Sequence, residues 1–202
     1  MSLALRRLAV LGFAVLTTAC AHTGLWREIK RTPADAHVLA VPGLRQQGSA
    51  CGPTALTVLL NAAGDRVTVD EVTAAVQNQD ADAALTIDLL LYARRRGFRA
   101  QFSEGSLDTL RQTLRQGIPP LLLLDIGAGL PWPASKKHFW HYVVPYGFSD
   151  AKHQFFLHSG VGAKSISFEK LSQVWARGGH WMMTLGVPVR EPASRPGAAG
   201  AQ

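Results

Sequence analysis

Between residues 53 and 117 apolar side chains recur at helical spacing; beyond residue 120 they gather into short runs bounded by turn residues. Ala55, Leu56, Val58, Leu59 and Leu60 predict a buried helix over 53–63, with Pro53 in its first turn and Gly64 as its stop. Thr68 and Glu71 stand at capping-box spacing, which starts a second helix over 69–77. A third is expected over 86–96, with Ile87, Leu90 and Leu91, and then Phe98, turned inward. A fourth follows Ser106 and stops at Gly117, with Leu107, Leu110 and Leu114 as its apolar face.

The second half reads as strands. Residues 120–125 are a proline, four leucines and an aspartate, the pattern of a short buried strand. A Gly- and Pro-rich loop over 127–137 follows. Segments 139–147 and 153–158 are rich in aromatic and β-branched residues, and 148–152 supplies a turn, so the pair predicts an antiparallel hairpin. A strand over 165–168, a short amphipathic helix over 169–177 and a last strand over 181–187 complete the pattern. Helices first and mostly antiparallel strands afterwards make this an α+β chain, with an N-terminal helical lobe packed on a C-terminal antiparallel sheet. The domain is expected over 41–187. Residues 20–40 are expected to form a linker with a short edge segment, and the Ala/Gly/Pro-rich stretch 188–202 a disordered tail.

Composition adds a bound on size and partners. A chain of 202 residues, 47% hydrophobic and 17% charged, suits one compact domain with a substantial core. A formal charge of +7 favours anionic surfaces. Part of it, Arg6 and Arg7, lies in the N-terminal segment, and Arg94, Arg95 and Arg96 before Gly97 read as a helix end matched to the macrodipole. No strand interleaves basic and aromatic residues, so no nucleic-acid partner is expected.

Residues 1–19 have the layout of an export signal: a basic start, an apolar run over 8–16, then Thr17, Thr18 and Ala19. The run is too short for a bilayer span, which needs about 20 residues. An ordinary cleaved signal and an uncleaved anchor share this layout. With Cys20 directly after Ala19, the segment resembles a bacterial lipoprotein signal, although Thr17 stands where that pattern usually has an aliphatic residue. The resemblance implies lipidation of Cys20 and a membrane anchor; with Ala21 next, it implies the periplasmic face of the outer membrane.

The chain has two cysteines, Cys20 and Cys51. A lipidated Cys20 leaves Cys51 without an intramolecular partner in an oxidising compartment, so Cys51 is either buried and inert or kept for its chemistry. A Cys20–Cys51 disulfide requires that Cys20 escape lipidation. At a helix start the dipole and the unpaired N–H groups lower a thiol's pKa. Gly52 permits close approach of a substrate backbone, and the Gln46 amide can stand beside the sulfur as an oxyanion donor. Cys51 also reads simply as a small core residue. His141, within the apolar stretch 139–147, is either a satisfied core histidine or the imidazole that a cysteine hydrolase requires.

Taken together, Val41-Pro42, Gln46, Cys51-Gly52-Pro53, His141-Tyr142-Val143-Val144 and Gly147 resemble the papain-like peptidases that cut double-glycine leaders from bacteriocin precursors, and more closely their stand-alone envelope relatives. The resemblance spans about 41–187. It implies a papain-like fold, with Cys51 as nucleophile, His141 as general base and acid, and Gln46 as oxyanion donor; Gln47 is one residue too close to the cysteine. The family's third member is usually an Asp, often followed by Pro, after the histidine strand. Here that stretch is Phe155-Phe156-Leu157-His158-Ser159-Gly160. A hairpin turn at 149–152 places His158 opposite His141, which makes His158, or its neighbour Ser159, the expected orienting group. Asp150 lies at the turn, too far along the strand to serve.

His138, His141, His153 and His158 raise the question of zinc, but separations of three and five put each pair on opposite strand faces. No metal and no cofactor are expected. The sequence therefore predicts an envelope-anchored cysteine peptidase acting on a peptide or leader, of reduced activity without the Asp. The alternative is a non-catalytic peptide-binding lipoprotein that serves an export or envelope partner.

Overall fold

The computed structural model describes residues 25–78, 83–129 and 136–186. The export signal, Cys20 and the tail from 188 lie outside them. Strand β6 (Leu121–Asp125) runs through the middle of the main sheet, and its leucines divide between two cores. Leu121 joins the core under α1 (Cys51–Ala62), α2 (Val69–Val76) and α3 (Thr86–Arg95). Leu122 and Leu124 join the opposite core under α4 (Leu107–Arg115) and α5 (Phe168–Ala176). A strand buried on both faces has no reason to alternate in polarity, which is why the run is uniformly apolar.

Next to β6 lies the long β7 (Trp140–Ser149), paired antiparallel with β8 (Gln154–His158), which pairs with β9 (Ala163–Ser167). On the other side, β10 (Trp181–Gly186) bridges β6 to the edge strand β5 (Arg99–Glu104). Sequence patterning misses β5 because only Ala100 is buried; its remaining residues are exposed and carry no alternation. Residues 25–40, expected as a linker with a short edge segment, contribute more than that. They supply β1 (Arg27–Glu28) on β9, β2 (His37–Val38) on β7, and Leu25 to the core. A two-stranded ribbon, β3 (Gln77–Asn78) with β4 (Ala83–Ala84), stands apart from the main sheet.

Helices α2, α4 and α5 start at side-chain caps, Thr68, Ser106 and Ser167. Thr68 Oγ1 accepts from the Glu71 N–H, and Glu71 accepts from the Thr68 N–H, closing the expected capping box. In α3 the inward face is Leu89, Leu90 and Ala93, whereas Ile87 and Leu91, expected inside, are exposed. Four apolar residues within five positions cannot all face one core at 3.6 residues per turn. The i, i+4 pair Ile87 and Leu91 is the one left outside.

Candidate functional site

Cys51 is the first residue of α1, and the start of this helix is bare. Its N-cap is Ala50, which offers no side-chain acceptor, and no acidic residue occupies the first turn. The positive dipole end of the helix therefore faces the Cys51 position, which favours an anion there, while the Cys51 N–H itself donates to the Ser49 carbonyl at 2.9 Å. The helix start is pressed close to β7: a Cβ on Gly52 would meet the Tyr142 ring at 3.2 Å and the Ala84 Cβ at 2.9 Å. Burial, with Cys51 and Asp88 nearby, holds the Tyr142 phenol far above its ordinary pKa. Its hydroxyl stays protonated and donates to the Ala84 carbonyl, tying the β3–β4 ribbon to the sheet beside Cys51.

His141 and Tyr142 point to opposite faces of β7, as neighbours on a strand must. The β7–β8 ladder begins only at Val144 opposite His158, so β7 has no β8 partner at residue 141. The chain that leaves β8 turns across this opening, and His141 Nε2 lies 2.9 Å from the Ser159 carbonyl oxygen. A carbonyl only accepts, so Nε2 carries the hydrogen and the lone pair is on Nδ1. Burial pulls the His141 pKa below the usual imidazole value, and the hydrogen bond to Ser159 offsets only part of that. Trp26, from the segment before β2, packs with its ring centroid 6.5 Å from that of His141.

Gln46 approaches the same loop. Its N–H donates to the Gly160 carbonyl at 2.9 Å, and its side-chain Nε2 donates to the Gly48 carbonyl at 3.1 Å. Residues 159 and 160 thus hold His141 on one atom and Gln46 on the next peptide unit. The side-chain oxygen of Gln46 is buried without a hydrogen-bond partner.

The expectation that His158 faces His141 is corrected. The hairpin closes at Ser149 opposite Gln154, further along than a turn at 149–152 would place it, and a bulge between Pro145 and Gly147 shifts the register again. His158 consequently sits opposite Val144. Its ring stacks on Tyr146 at 4.6 Å, and its Cε1 lies 3.0 Å from where a Cβ on Gly43 would be. It braces the segment leading to Gln46, and its partner across the ladder is Val144, not His141. Asp150 sits at the turn, paired with Arg111 and Arg115. Of the four histidines considered together, His138 bonds Asp125, His153 caps the hairpin turn and packs on Phe168, and among the described residues no three His, Cys, Asp or Glu side chains converge as a metal site.

Ser159, expected as the alternative to His158, does hold His141, but through its backbone carbonyl and not its hydroxyl; Trp26, in a stretch without period, had little sequence signal. The pKa directions yield a pH expectation. Burial lowers both His141 and His158 below 6.5, so between their folded values and 6.5 the unfolded chain binds more protons. Stability is full above about pH 6.5 and falls as the pH drops through the folded values. Urea midpoints at pH 7.5, 6 and 5 should decline in that window, and the decline should flatten in His158→Gln.

The family model for the Peptidase_C39 like family matches residues 38–181. No curated protein sequence matches the chain. Among solved structures, it is similar to a double glycine motif protease from an AMS/PCAT transporter in complex with the leader peptide, at 16% identity over 73% of this chain and 92% of that one, with a TM-score of 0.56. The peptidase domain of Streptococcus ComA, a bifunctional ABC transporter involved in quorum sensing, matches at 17% identity over 71% and 96%, with a TM-score of 0.56. A C39-like peptidase from Bacillus anthracis matches at 15% identity over 74% and 96%, with a TM-score of 0.59. With the family model matched over most of the domain and the papain-like architecture in place, the chain belongs to the Peptidase_C39 like family.

Proposed function

We propose that this protein is a cysteine peptidase of the leader-processing type, held at the periplasmic face of the outer membrane through a lipidated Cys20. The Cys51 thiolate attacks a peptide carbonyl carbon, and the resulting oxyanion is held by the Gln46 amide and an N–H at the start of α1. The Gln46 Nε2 has two hydrogens, one engaged by Gly48, which leaves the second for this role. His141 Nδ1 takes the thiol proton and returns it to the amine as the C–N bond breaks, leaving an acyl-enzyme. Water, deprotonated by the same nitrogen, then releases the acid and restores the thiol.

The observation that carries this reading is the His141–Ser159 hydrogen bond, which fixes the tautomer with its lone pair on Nδ1. The acceptor is neutral, so the imidazolium formed during turnover gains less stabilisation than a carboxylate would supply. Turnover should be slower than with an Asp at this place.

Labelling of Cys51 with iodoacetamide across pH tests the proposal. An ordinary thiol of pKa about 8.5 is only about 1% thiolate at pH 6.5. Cys51 should react about 10- to 100-fold faster than that at pH 6.5, and His141→Ala should remove the excess. Slow labelling that follows an ordinary thiol in both proteins would sink the peptidase reading. The family's peptide-binding cleft without turnover would then be the better account.

A further inference from the structure

The wall of the cleft beside Cys51 is apolar out of proportion to what cutting between small residues requires. A cavity of about 440 Å³ opens at Cys51 and is lined by Leu85, Ile87, Leu123, Trp140 and Tyr142. That volume falls in the range of about 300–1,000 Å³ typical of ligand pockets. Trp140, Ile87 and Leu85 are 52%, 51% and 45% exposed, a concentration of solvent-facing apolar surface at one place. Such concentration, unlike scattered exposed leucines, marks a surface that something covers.

Trp140 is also held more firmly than an exposed side chain usually is. Its ring stacks on His138 at 5.4 Å between centroids, with the planes 5° apart. His138 Nδ1 bonds the Asp125 carboxylate at 2.7 Å. Asp125 has no exposed surface, and it further accepts from the N–H groups of Phe139 and Gly127 and pairs with Arg177 at 2.9 Å. Burial alone would push the Asp125 carboxyl up, but these partners outweigh it and keep it below the ordinary carboxylate range. A buried, fully engaged anion thus fixes the residues on either side of Phe139, and with them the indole at the mouth of the cleft.

We infer that Trp140, positioned by the Asp125–His138 pair, is the specificity-determining wall of an apolar subsite beside Cys51 that takes a large aliphatic or aromatic side chain adjoining the scissile bond. The inference rests on the peptidase reading and departs from a simple double-glycine requirement, because two glycines would leave this cavity unfilled. Apolar area buried only when the reacting peptide is seated favours large side chains over glycine by about 10- to 100-fold.

Peptidyl acyloxymethyl ketones ending in Leu-Gly, Phe-Gly and Gly-Gly, which alkylate the nucleophile once seated, test the subsite on the full-length protein. Modification is read at Cys51 by mass spectrometry, with iodoacetamide as a reagent that needs no subsite. The Leu and Phe probes should react at least 10-fold faster than the Gly-Gly probe. Trp140→Ala, at a half-exposed position, should bring that ratio below about threefold while the iodoacetamide rate holds. His138→Ala should weaken the saturation constant for the Leu probe more than its maximal rate. Equal rates for all three probes, with rapid iodoacetamide labelling, would overturn the subsite and leave the peptidase reading standing. Labelling by every reagent at the rate of an ordinary thiol would overturn both.

Discussion

Gly160→Ala should weaken binding of a peptide aldehyde about 10²- to 10³-fold, the cost of losing one oxyanion donor. Gly160 has φ of +75°, and a Cβ there would stand 2.1 Å from the Gln46 side-chain oxygen and 2.8 Å from its Cδ. The Gln46 side chain is flexible and would be expelled, carrying its amide away from the cleft. An aldehyde reports this loss because its adduct with Cys51 carries an oxyanion, whereas iodoacetamide alkylation forms none and should change little. Backbone strain adds about 1–2 kcal/mol of destabilisation for a residue with a Cβ in the left-handed region. Gly162→Ala is the control: its φ is +115°, but no atom lies within 4 Å of the new Cβ. It should lower the melting temperature and leave aldehyde binding intact. If both variants bind the aldehyde as the parent does, Gln46 is not the donor.

Trp175→Ala should cost about 3–5 kcal/mol, the range for removing a large buried aromatic. Trp175 is fully buried in the core beneath α4 and α5, and its indole N–H donates to the Trp181 carbonyl at 3.0 Å. Truncation empties the space and leaves that carbonyl without its donor. Domains of this size are stable by only about 5–15 kcal/mol, so a large share of the total is at stake. Urea titration by circular dichroism measures it, and Trp175→Phe should lose much less. Gly105 offers an independent approach to the same contact, since a Cβ there would lie 2.6 Å from the Trp175 ring. A small loss in Trp175→Ala would mean that the α5 layer collapses onto the gap more readily than its packing implies.

Much of this was legible in the residues because separate signals coincided. Thr68 with Glu71, Pro53 with Gly64, and the leucine run 121–124 each combine a local preference with a tertiary need, and these elements appear where expected. Of the residues that the family motif joined, Gln46 and His141 meet one two-residue segment, and Cys51 opens α1. What failed was register. Pro145 and Gly147, residue types that mark bulges inside strands, flank the bulge at Tyr146 but carried no weight in the hairpin reading, and a hairpin that closes later than assumed carries His158 away from His141. Strand β5 was missed for a related reason: pairing at a solvated edge is satisfied by backbone groups, whose residue types are free to be polar. Ile87 and Leu91 show the converse error, in which apolar character suggested core and both side chains are exposed, Ile87 beside the cleft.

The group that orients His141 is a main-chain oxygen. Its chemistry is the same whichever residue occupies position 159, so point mutation can displace it only by moving the loop and can never delete it. Alanine scanning would therefore pass over the histidine's partner entirely. A lineage that relies on a peptide carbonyl is insulated from loss of that partner, and equally denied the gradual tuning that exchange of one acidic side chain for another provides. Selection on this histidine's basicity is left to act through its surroundings, through Trp26 and the packing that keeps water from the ring.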